Sequence, residues 1–97
     1  MYIVKITYTA PLEIVDKFLP AHVAWLHENE AAARFFVYGR LIPRTGGVIV
    51  ARTADRAELD AILETDPFQT NGIGTYEILE FSENRGFSRK YGVKTTL

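Results

Sequence analysis

The 97-residue chain has no cysteine. That excludes a disulfide framework, a thiolate metal centre and a thiol nucleophile. It also lacks an excess of one charge: 11 basic and 12 acidic residues leave a net −1, which gives no overall attraction to nucleic acid or an anionic membrane. No run of about 18 apolar residues could span a bilayer. The opening MYIVKITYTA lacks the basic segment and long apolar stretch of a signal peptide. A cytoplasmic protein is the expectation. Internal repeats and low-complexity linkers are absent too, so residues 1–97 read as one domain, with a core over 1–81 and a tail over 82–97.

Against those absences stand 47% hydrophobic residues in a chain long enough for one modest core. Tyr2, Val4, Ile6 and Tyr8 alternate with Ile3, Lys5, Thr7 and Thr9, the period of a strand with one apolar face. Helical spacing follows from about Pro11 to Ala33. RFFVYG (34–39) is aromatic and β-branched enough for a second strand, and Pro43 to Gly47 form a turn into a third, GVIVAR (47–52). Asp55 with Glu58 fits the start of a second helix, an aspartate version of the capping box. After DPFQTNGIG, TYEILEF (75–81) supplies the last strand.

The order βαββαβ predicts an α+β, ferredoxin-like fold with a four-stranded antiparallel sheet. Two helices cover one face of such a sheet. The other face would carry apolar residues from VIVA together with Leu79 and Phe81, more than a monomer commonly exposes. A homodimer packed through sheet faces is therefore expected.

A helix unbroken from Leu12 to Ala33 would be about 33 Å long and would overshoot strands of about 20 Å. Pro20 fits the first turn of a second helical segment, where its missing amide hydrogen costs nothing. On that reading the main helix starts at Pro20 and His22 lies in its first turn, on a stripe with Trp25 and Leu26 that points at the core. Topology sends the end of the second helix to the same edge of the sheet, where Asp66 waits. A carboxylate bonded to one imidazole nitrogen would fix the tautomer and leave the other nitrogen to exchange a proton with a ligand. Asp66 followed by Pro67 is equally a good N-cap for a short helical turn, accepting amide hydrogens near Phe68 or Gln69. The two roles can coexist.

The stretch from His22 to Phe81 resembles the YciI-like (YCII-related) family, most specifically in the histidine opening the main helix, the PRTGG turn with its following apolar strand and the DPF triplet before the last strand. The resemblance implies a dimeric α+β barrel of ferredoxin-like subunits with an active site containing His22 and Asp66. It also implies an association of some members with dehydrochlorination of chlorinated hydroxylated aromatics. Two departures stand near strand two: Ala33 where a glycine is usual, and Arg40 after Gly39 where proline is common.

Other chemistry is thinner. Two histidines on different helix faces make no metal site, and Gly46-Gly47 has no following helix to form a phosphate loop. Arg40 and Arg44 flank the turn and could hold an anionic or phenolate ligand. Tyr8, Trp25 and Phe68 could wall an aromatic pocket, or simply be core. The tail carries Arg85, Arg89, Lys90 and Lys94 around Phe87 and Tyr91; it is too short for nucleic-acid binding and reads as an anchor on the subunit or across the dimer.

The expected function is a small enzyme without cofactor, using His22 and Asp66 as an acid/base dyad on a small hydroxylated cyclic or aromatic substrate. Lyase or isomerase chemistry fits, since no redox group or obvious nucleophile is present. The alternative is a non-catalytic ligand-binding or assembly module in which the pair holds helix ends together.

Overall fold

The computed structural model describes residues 1–84. The tail residues from Arg85 on, and the anchoring role expected of them, lie outside the described residues.

Alternation in the first ten residues becomes β1 (Tyr2–Tyr8), with Tyr2, Val4 and Ile6 buried. It is followed by α1 (Leu12–Ala31), β2 (Phe35–Arg40), β3 (Gly46–Ala51), α2 (Arg56–Leu63), the short α3 (Pro67–Thr70) and β4 (Gly74–Glu80). The sheet order is β2-β3-β1-β4, every neighbouring pair antiparallel. This is the α+β arrangement that βαββαβ predicts.

Register sorts the side chains into two faces. Val4 lies opposite Ile49 and Ile78, and Ile6 opposite Tyr76. This face packs with Trp25 and Leu26 of α1 and with Leu59, Ile62 and Leu63 of α2 to make the main core. Ile3, Val48 and Val50 project to the other face and are half-buried, while Val37 and Leu79 are 57% and 65% exposed.

Gly46 lets two backbones meet, since a Cβ there would come within 1.7 Å of the Ile6 carbonyl oxygen. Asp55 caps α2 by accepting from the Glu58 amide at 2.9 Å. The reciprocal half of the capping box is displaced by one residue, with Glu58 Oε2 accepting from Ala54.

The helix break at Pro20 does not occur. α1 runs through Pro20 without interruption, so His22 sits in mid-helix rather than in a first turn, and the helix-terminus field has little hold on it. Two facts reconcile the length with the proline. Asp16 and Pro20 are exposed, so the Asp16 carbonyl that loses its partner to the ring faces water. The first half of α1 does not hang past the sheet uncovered, because Val15 packs with Phe68 and Ile73 in a second cluster joined by Ile14, Phe18 and Leu19. α3 supplies the surface that the strands cannot.

α1 ends in a Schellman arrangement, with the Arg34 amide bonded to the Asn29 carbonyl and the Ala33 amide to that of Glu30. Ala33 has φ +60, the left-handed conformation that favours glycine.

Candidate functional site

His22 and Asp66 meet where the two core clusters join. Nδ1 of His22 donates to Oδ1 of Asp66 across 2.7 Å, which leaves Nε2 as the nitrogen without that bond. Asp66 is fully buried and His22 7% exposed. The same Oδ1 accepts the Phe68 amide at 3.0 Å, so Asp66 is also the N-cap of α3. Its Oδ2 accepts the Tyr76 hydroxyl at 2.5 Å. Burial, followed by the bond to Asp66 and its charge, pushes the Tyr76 phenol well above its usual range. Tyr76 therefore stays a neutral donor.

Two aromatic rings lie against the imidazole. Phe68 stacks on it with centroids 3.9 Å apart and planes 9° apart, and the Trp25 ring lies 5.5 Å from it at 28°. Trp25 is anchored in turn, its Nε1 donating to Thr65 Oγ1 at 2.9 Å while Thr65 donates to the Ile62 carbonyl.

A pocket of about 240 Å³ opens beside this cluster, lined by His22, Tyr8, Phe68, Tyr38, Arg40 and Arg44 with Ile6, Leu19, Val23, Leu26 and Ile49 around them. Cavities of about 150 Å³ are known to hold benzene, so a single substituted six-membered ring fits the space. Tyr8 meets Phe68 edge to face at 5.8 Å.

Not every residue expected here plays the part expected. Trp25 backs the imidazole and does not line the pocket. Arg44 lines it but is paired with Asp16 of α1. That bond, helped by the charges of Arg44 and Arg40 and opposed by burial, holds Asp16 below the ordinary carboxylate value; on Arg44 the same bond outweighs burial and raises it. Arg40 and Tyr8 stand at the wall without such a commitment to a carboxylate among the described bonds. Sequence reasoning missed Tyr76 as a site residue, although its alternation with Ile78 places it on the helix-covered face, where a hydroxyl needs a partner. Among the described residues no group of three or more metal-ligating side chains gathers, and no helix is long and apolar enough to cross a membrane.

A family model described as the YCII-related domain matches residues 1–82. Among solved structures, 5-chloro-2-hydroxyhydroquinone dehydrochlorinase (TftG) from Burkholderia phenoliruptrix AC1100, in complex with 2,5-dihydroxybenzoquinone, is similar in fold. The TM-score is 0.72 and the identity 19%, over 87% of this chain and 96% of that one. No curated protein matches the chain.

Proposed function

Because the chain belongs to the YCII-related family, we propose that it is a small lyase-like enzyme in which His22 and Asp66 move a proton on a hydroxylated single-ring substrate. One observation carries the reading: an imidazole bonded through Nδ1 to a fully buried carboxylate is also a wall of a pocket sized for one ring. A dehydrochlorinase with a dihydroxyquinone bound to the same fold supports the choice of substrate class.

Nε2 of His22 takes a proton from the substrate, the electron pair left behind forms the new π bond, and the leaving group departs with its own bonding pair. Asp66 holds the ring in the Nδ1–H tautomer and stabilises the imidazolium that results. Arg40 receives an ionised substrate oxygen, and Arg44, committed to Asp16, frames the rim. Phe68 and Tyr8 contact the substrate ring.

The same reading includes a second copy of the chain on the sheet face that no helix among the described residues covers, completing a dimeric α+β barrel. Val37, Leu79 and Phe81, exposed beside half-buried Ile3, Val48 and Val50, support it.

The test is chloride release from chlorinated hydroxyhydroquinones, with binding of 2,5-dihydroxybenzoquinone as a second measure. His22→Ala is expected to fold and to lower turnover about 100-fold or more, the range of general acid–base catalysis. Wild-type protein that neither turns over such compounds nor binds the quinone sinks the assignment. The competing reading, a non-catalytic module, draws on the cap that Asp66 places on α3; it predicts that His22→Ala affects stability alone.

A further inference from the structure

Asp66 is held from three elements at once. His22 on α1 and the Phe68 amide at the start of α3 donate to Oδ1, and the Tyr76 hydroxyl on β4 donates to Oδ2. The first bond makes the pair and the second caps α3. The third is needed for neither. Yet Tyr76 lies opposite Ile6 with its ring against the main core, and its hydroxyl reaches a carboxylate that is 0% exposed.

The two oxygens of a carboxylate share one charge. A donor on Oδ2 draws that charge toward itself and weakens Oδ1 as an acceptor, besides fixing the plane of the group. We infer that Tyr76 is a positioning residue: through Oδ2 it sets how strongly the carboxylate pulls on the Nδ1 hydrogen of His22, and so how strong a base the ring presents to the pocket. The inference rests on His22 and Asp66 acting together as proposed above.

The neutral phenol suits the part, because a donor that could itself ionise would remove the bond it makes. The other titratable or charged side chains lining the pocket with His22 are Tyr8 of β1, Tyr38 and Arg40 of β2, and Arg44 of the β2–β3 turn. Tyr76→Phe leaves all of them in place and keeps the aromatic ring in the core.

The experiment needs no substrate. The chain has two histidines, so protein labelled with ¹⁵N at histidine gives two sets of ring signals, with exposed His27 as internal reference. In Tyr76→Phe the Nδ1–H proton resonance of His22 is expected to move downfield, as its hydrogen bond to Asp66 strengthens. With 3-fluorotyrosine at position 76, a stronger donor of nearly the same shape, it is expected to move upfield. Opposite signs are the signature, since a packing disturbance has no reason to reverse with donor strength. The fluorinated variant keeps both ring and hydroxyl, so the question survives if the phenylalanine variant fails to fold.

Asp66→Asn separates the two layers of the reading. If it moves the His22 resonance while neither Tyr76 variant does, or if both Tyr76 variants move it the same way, Tyr76 has no such role and the pair stands. If Asp66→Asn leaves the resonance unmoved, the coupling between His22 and Asp66 fails and the inference about Tyr76 falls with it.

Discussion

Ala33 adopts φ +60 at the C-terminus of α1, where a side chain crowds the following carbonyl at a cost of roughly 1–2 kcal/mol. The Schellman bonds around it hold the conformation in place. Ala33→Gly is therefore expected to stabilise the fold by about 0.5–1 kcal/mol, after allowing for the greater freedom of glycine in the unfolded chain; thermal or denaturant unfolding measures it. Gly46 is the opposite case, because no methyl fits beside the Ile6 carbonyl. Gly46→Ala is expected to cost about 2–3 kcal/mol by forcing β3 away from β1, read as a fall in unfolding midpoint. The sequence shows a glycine preference at position 33 only through the family resemblance, whereas the conformation itself emerges from coordinates. Of the site, topology brings Asp66 to the edge where α1 begins, but the expected place of His22 there rests on a helix start at Pro20; His22 lies in mid-helix, and the two meet because α3, capped by Asp66, packs against α1. Tyr76 was legible only as a face, because a partner for a hydroxyl depends on side-chain reach, which register alone does not give.

At the scale of elements, the sequence delivered strand and helix order because period-2 and period-3.6 patterns are strong in segments this long. It misled at Pro20, where the rule against proline inside helices met a solvent-facing site that tolerates one. The length argument failed for a related reason: it counted strands as the only surface α1 could cover and left out α3. The first half of α1 is also tied to the β2–β3 turn by Asp16 and Arg44. The pair depresses the carboxyl below its ordinary 3.8, so its support is present above that value and is lost as pH falls through the lower folded one. Accordingly, the stability gap between wild type and Asp16→Asn is expected to narrow under acid, with salt closing it as well because Asp16 is exposed and Arg44 only half-buried. A gap that held constant down to strongly acidic pH would rule out the pairing as its source. The sign follows from the carboxylate being the charged partner that acid removes.

For the whole molecule, the sheet face opposite the helices, which no helix among the described residues covers, is the feature that sequence patterning located. Val37 and Leu79 stand out on it with Phe81 39% exposed nearby. Leu79→Lys is expected to weaken self-association with little effect on the monomer fold, since the side chain already stands in solvent; sedimentation over a range of concentrations reads it. A wild-type chain that sediments as a monomer at every concentration would remove the second copy from the proposal.

The two clusters differ greatly in size. The smaller one, Val15 with Phe68 and Ile73, joins only the His22–Asp66 bond, the His22–Phe68 stack and the Trp25–Thr65 bond in clasping this corner against α1, while the sheet stands on eleven buried residues. Warming is then expected to spring the clasp before the sheet melts: amides of Phe68 and Ile73 would exchange with deuterium ahead of those in β1. A chain in that state would keep its circular dichroism and lose the proposed proton chemistry, so on that proposal the working lifetime at a given temperature follows a few side chains at one corner rather than the melting point.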